Sequence, residues 1–184
     1  MNLQDKIKSL FRFKEQIGII TNSKGYKKKI VDNLNELLKH AGYKRNGNVY
    51  SHVTGDITHF ISLQSSMTST ASVLKITVNV EISSARLADF RDERMPSSAD
   101  RHYHQRIGQF MNERPDKWWV IGNLQEADQA AGEIALIISE KILPYLNTFK
   151  STDDLIKLWQ KGISHGVTDA QRRHYLKLLG AGEM

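Results

Sequence analysis

The sequence predicts an α+β fold, a single antiparallel sheet of four or five strands with N-terminal and C-terminal helices packed on one face. Three observations predict it. Helical periodicity fills the first forty residues and everything after Asn123, while the period falls to two in between. The run VLKITVNVEI, Val73 to Ile82, puts Leu74, Ile76, Val78, Val80 and Ile82 on one side and Lys75, Thr77, Asn79 and Glu81 on the other. That alternation belongs to a sheet covered on one face and wet on the other. Helices and strands are also segregated along the chain, which argues against alternating βαβ units. At 184 residues the chain fits one domain. It divides into a basic amphipathic segment (1–23), an α+β core (24–162) and a C-terminal helix (163–184).

Taken in order, Leu3, Ile7, Leu10, Phe11 and Ile17 lie at helical spacing with lysines and Arg12 opposite, a short amphipathic helix that packs on the domain or a partner. It contains no tryptophan and its apolar face is short, so a membrane surface is not the expected partner. A second helix is expected from Lys24 to Ala41, capped by Ser23, with Ile30, Leu34, Leu37, Leu38 and Ala41 as the buried stripe and Gly42 as the stop. Asn48–Thr54 and Ile57–Ser65 read as strands joined by the Gly55-Asp56 turn, and Val73–Ile82 as the next strand. ARLADFRDERMPSSAD (85–100) reads as a loop. RHYHQRIG (101–108) and Trp118–Ile121 are short enough to be strands. Asn123 with Glu126 starts a helix with Ala127, Ala131, Ile134, Ile138 and Ile142 buried, which Pro144 bends or ends. Ser151 with Asp154 and Thr168 with Gln171 start two more, which stop at Gly162 and Gly180.

Composition excludes several functions. No apolar run is long enough to cross a bilayer, and the start lacks the apolar core of a secretory signal. There is no cysteine, hence no disulfide, thiolate nucleophile or sulfur-rich zinc site. The expected compartment is the cytoplasm. The net charge of +6 is uneven: residues 1–50 carry eleven Lys/Arg and four acids, while the rest is close to neutral. This basic start raises nucleic-acid binding through Lys24, Lys27, Lys28, Lys29, Lys44 and Arg45, with Tyr26 and Tyr43 as the aromatics available for stacking. A lysine-rich solvated surface explains the same charges.

RHYHQRIG is the densest chemical stretch. As a strand it would send His102, His104 and Arg106 to one face and Arg101, Tyr103, Gln105 and Ile107 to the other. Two histidines at this spacing can share a metal, but a third ligand is needed. His59 and Asp100 are only candidates by type, and Arg106 on the same face would repel a dication. No metal and no cofactor are therefore expected. Acid–base chemistry by a histidine beside an anion-holding arginine is a further option, as is a polar sheet face without chemistry. GISHG, Gly162 to Gly166, matches the nucleophile-elbow letters, but a helix precedes it instead of a strand, so Gly162 reads as a helix stop and Gly166 as linker flexibility. KGYKKK lacks phosphate-loop spacing, and RPDKWW lacks the partner acid of a nuclease site. Of Trp118 and Trp119, one is expected in the core and one facing out, where it would cover a binding surface.

Leu37-Leu38 leading to GYKR (Gly42–Arg45), Tyr50, ISLQ ending at Gln64, ITVNVEI with Asn79, QRIG with Arg106 and Gly108, and Trp118-Trp119 follow one another in the order of a known family. Over roughly residues 26–160 the chain resembles the bacterial family called domain of unknown function 4304. That resemblance implies the domain and no catalytic residue. It draws attention to Gln64, Asn79 and Arg106, polar residues inside strands. If they share a face, a guanidinium beside two amides suits carboxylate, phosphate or peptide-backbone recognition.

The expected function is thus a non-catalytic cytoplasmic binding module. It would use Gln64, Asn79, His102, His104, Arg106, Trp118 and Trp119 against a protein partner or small anionic ligand. The alternatives are a hydrolase or nuclease-like enzyme centred on His102, His104 and Arg106, and nucleic-acid binding through Lys27, Lys28, Lys29, Lys44 and Arg45.

Overall fold

The computed structural model describes residues 22–88, 90, 101–111 and 116–182. The expected amphipathic helix through Leu3 and Ile17, and Asp100, lie outside the described residues.

Helix α1, Ser23–His40, is capped by Asn22 and not by Ser23: the Asn22 carboxamide accepts the Gly25 N–H at 2.9 Å. Asparagine caps at least as well as serine, and the cap residue must lie outside the helix. Ile30, Leu34 and Leu38 are fully buried, while Leu37 and Ala41 pack against the edge of the core. Gly42, at φ +84°, turns the chain out of the helix.

The strands are β1 (Lys44–Asn46), β2 (Val49–Thr54), β3 (Ile57–Ser65), β4 (Leu74–Ser84), β5 (Tyr103–Arg106) and β6 (Trp119–Ile121). All pairings are antiparallel, in the order β1-β2-β3-β4, with β5 and β6 both on the far side of β4. The sheet is as predicted with one addition, β1, which turns into β2 over Gly47 at φ +60°. Asn46 pairs with Val49, so the two-residue loop is Gly47-Asn48, with glycine in the first position where the positive φ is needed.

Two further expectations are corrected. The stretch 85–100 opens with a helical turn, α2 (Ala85–Ala88), that buries Leu87. The pleat in 101–108 holds only from Tyr103 to Arg106, after which Ile107–Phe110 tightens into a 3₁₀ turn that buries Ile107.

In the last third, α3 (Leu124–Ile137) passes through a π turn (Ile138–Ile142) into α4 (Leu143–Leu146). Pro144 has no N–H for the carbonyl four residues back, and the widened turn before it accommodates the ring, so the helix bends on instead of stopping. Helices α5 (Thr152–Gln160) and α6 (Asp169–Leu178) carry the predicted capping boxes, and Gly162 and Gly180 stop them at positive φ.

The apolar stripe of β4 is sealed, Ile76, Val78, Val80 and Ile82 each at 0% exposure. It joins Ile57, Ile61 and Leu63 of β3, Ile30 and Leu34 of α1, Ile134 of α3, and Leu155 and Trp159 of α5 in one core. The helices therefore cover the apolar side, and the polar side of β4 looks away from the core.

Candidate functional site

Residues opposite each other across an antiparallel pair project to the same face. Asn79 faces Arg106, Glu81 faces His104, and Gln64 faces Thr77. Gln64, Asn79, His104 and Arg106 thus share the polar face of the sheet, and Asn79 donates to the Gln64 carbonyl at 3.0 Å. The Asn79 Oδ1 atom is buried there without a hydrogen bond, an omission that costs about 1–3 kcal/mol. Farther along, the Arg101 guanidinium lies 3.4 Å over the Phe60 ring and 3.6 Å from the Glu81 carboxylate. Thr77 is fully buried on this side and donates to the Lys117 carbonyl at 2.8 Å.

The tryptophan pair is resolved by register. Trp119 faces Ile76 of the apolar stripe, so it is the inward one, 6% exposed, with its indole N–H on Glu133 at 2.6 Å. Trp118 falls on the polar face. Its indole N–H donates to Asp116 Oδ1 at 3.1 Å, and the Arg106 guanidinium donates to that same oxygen. The Arg106 guanidinium and the Lys75 ammonium lie 5.2 and 5.4 Å from the Trp118 ring centre. One guanidinium and one indole N–H therefore meet on a single carboxylate oxygen, and a second cation lies against the same indole ring.

Beside Arg106 a groove of about 410 Å³ opens, lined by His104, Gln105, Arg106, Gln109, Asp116, His165 and Gly166. Its outer wall is the 162–168 segment, laid against the edge of β5 by a bond from the His104 N–H to the His165 carbonyl. Gly166 is no flexible linker. At φ +75° a Cβ there would sit 2.0 Å from the His104 carbonyl oxygen, so only glycine allows the approach. The wall is fixed from below. The Tyr103 hydroxyl meets Gln105 Oε1 at 2.5 Å and the Tyr145 hydroxyl at 3.1 Å, and Gln105 Nε2 meets His165 Nδ1 at 2.8 Å. An amide N–H directed at Nδ1 requires that nitrogen to be unprotonated, which leaves the His165 proton on Nε2. Burial lowers the His165 pKa, in keeping with the neutral ring.

Of the predicted site residues, Gln64, Asn79, His104, Arg106 and Trp118 come together on one face. His102 and Trp119 do not. His102 precedes the first residue of β5, so strand parity does not govern it. Its Nδ1 accepts the Ser84 N–H at 3.0 Å, and its ring stands edge-on to Tyr175 of α6, 4% exposed. The two histidines whose spacing would let them share a metal are therefore split. Among the described residues no group of three or more His, Asp or Glu is placed to hold a metal ion. Asp116, Gln105 and His165, which complete the groove, were not singled out from the sequence. In the sequence Asp116 stands only in RPDKWW, an incomplete nuclease pattern.

Three of the basic candidates, Lys28, Lys29 and Arg45, have partners within the chain. Lys28 pairs with Asp32 at 2.5 Å and Lys29 with Asp128 of α3 at 2.7 Å. Arg45 donates to the Gly47 carbonyl, and Lys44 lies on the edge strand β1. Lys27 is half-buried, and desolvation lowers its pKa. Tyr26 and Tyr43 are buried, so neither offers a face to a base. No described helix is long and apolar enough to cross a membrane.

A family model described as domain of unknown function (DUF4304) matches residues 34–148. Neither the curated proteins nor the solved structures contain a match to the chain.

Proposed function

The chain belongs to the DUF4304 family, whose description assigns no activity, and on the geometry of the site we propose that it is a non-catalytic binding module. Its recognition surface is the polar face of the sheet together with the groove beside β5. Its ligand carries a carboxylate or phosphate. One observation carries the reading: the Arg106 guanidinium and the Trp118 indole N–H converge on a single carboxylate oxygen. Charge-assisted bonds of this kind are stronger than neutral ones, and the Lys75 ammonium beside the same indole adds to the attraction for a second anion. The Asn79–Gln64 amide pair supplies neutral hydrogen-bonding groups next to the anchor, and the ~410 Å³ groove falls within the size range of small-molecule sites. The same proposal sets the module in a bacterial cytoplasm.

The enzyme alternative centred on His102, His104 and Arg106 draws less support, because His102 is turned under α6. The nucleic-acid alternative is weakened by the acidic partners of Lys28 and Lys29.

The test is calorimetric titration of inorganic phosphate and of succinate into wild type, Arg106→Gln and Trp118→Phe. Wild type is expected to bind at least one probe, Arg106→Gln neither, and Trp118→Phe, which keeps a ring but loses the N–H, more weakly. Equal heats from wild type and Arg106→Gln would count against the reading.

A further inference from the structure

Asp116 already fills the place that a ligand oxygen would take, and this follows from three features of its surroundings. Both donors, Arg106 Nη1 and Trp118 Nε1, are spent on its Oδ1. The Asp116 side chain is 63% exposed while that of Arg106 is 33% exposed, so the carboxylate can return to water at little desolvation cost and the guanidinium stays in place. Asp116 also stands at the mouth of the groove, sharing its lining with Arg106, Gln109 and His165.

We propose that Asp116 is an internal occupant of the anion site, and that a ligand's carboxylate or phosphate binds by displacing it. The inference rests on the binding reading above and adds a mechanism to it. A tethered carboxylate competes at a fixed effective concentration. It keeps the arginine–indole pair satisfied when no ligand is present, and weak free anions are held off unless further contacts in the groove add to their affinity. Displacement exchanges one oxyanion for another on the same two donors, so it needs no proton transfer and no change in the sheet.

The experiment measures the affinity of inorganic phosphate and of succinate for wild type, Asp116→Ala, Asp116→Asn, and Arg106→Gln combined with Asp116→Ala. Asp153→Asn serves as a control, because it removes one negative charge at the distant Arg86 pair. Removing the Asp116 carboxylate is expected to tighten binding on the order of fivefold, the equivalent of an exposed ion pair of about 1 kcal/mol. Asp153→Asn should change it less than twofold, and the double variant should bind neither probe. Tighter phosphate and tighter succinate identify the preferred oxyanion separately. Unchanged or weaker binding by Asp116→Ala, with wild type still binding through Arg106, overturns the displacement and leaves the binding reading standing. No binding of either probe to wild type or to Asp116→Ala overturns both.

Discussion

Acid should loosen this domain through one buried histidine. His59 of β3 is 1% exposed; its Nε2 bonds the Phe149 carbonyl at 3.0 Å, and its Nδ1 is buried with no hydrogen-bond partner. Burial disfavours the charged ring, and this outweighs the bond to the Phe149 carbonyl, which by itself favours the protonated form. Burial, with a smaller contribution from the His52 ring 6.2 Å away, lowers the His59 pKa to about 4. The unfolded chain titrates near 6.5. Between those values the unfolded state binds a proton and the folded state does not, so stability rises with pH. Lowering the pH from 7 to 4.5 should therefore cost roughly 2–3 kcal/mol from this residue alone. The carboxylates of Asp56 and Asp154, whose pKa values are lowered, add losses mostly below that window, because unfolded aspartate titrates near 3.9. The assay is urea unfolding at several pH values for wild type and His59→Gln. Glutamine can keep the bond to Phe149 but does not titrate. The variant should show a flatter profile between pH 6.5 and 4.5; parallel profiles, or a His59 pKa of 6 or more by NMR, would refute the reasoning.

Other substitutions sort the groove from the core. Gly166→Ala should destabilise by about 2–4 kcal/mol, through the positive φ and the clash with the His104 carbonyl. Faster hydrogen exchange at the His104 amide, whose acceptor is the His165 carbonyl, would report the released wall, and unchanged exchange would contradict it. Trp119→Ala should cost about 3–5 kcal/mol as a core truncation, whereas Trp118→Ala should cost under about 1 kcal/mol; thermal melts of the two variants check the order. Gln105→Leu should leave the fold intact but release the His165 ring from its tautomer, seen as a change in the imidazole ¹⁵N shifts of His165.

The polar face was legible because β4 alternates without a break for its central residues, and because Asn79 and Arg106 fall on opposed strands of correct parity. His102 was misplaced for a definite reason. Parity holds only inside the pleat, and β5 begins one residue later. Trp118 and Trp119 could not be told apart locally, since the choice depends on the pairing of Trp119 with Ile76, more than forty residues away. The Gly47-Asn48 turn between β1 and β2 is legible in the sequence as a two-residue hairpin loop. The groove was illegible: its wall is brought to β5 by α5 and α6, and the reason for Gly166 is a backbone contact with His104 across sixty residues. Asp116 carried no signal of its own beyond lying two residues before Trp118.

The indole N–H resonance of Trp118 reports the central claim most directly, because that proton is held by the Asp116 oxygen that an anionic ligand is proposed to replace. Titrating phosphate or succinate into ¹⁵N-labelled protein should move this signal in a saturable way in wild type, while the Trp119 indole signal stays still and Arg106→Gln abolishes the shift. A Trp118 signal that ignores both anions, in wild type and in Asp116→Ala alike, would contradict the account.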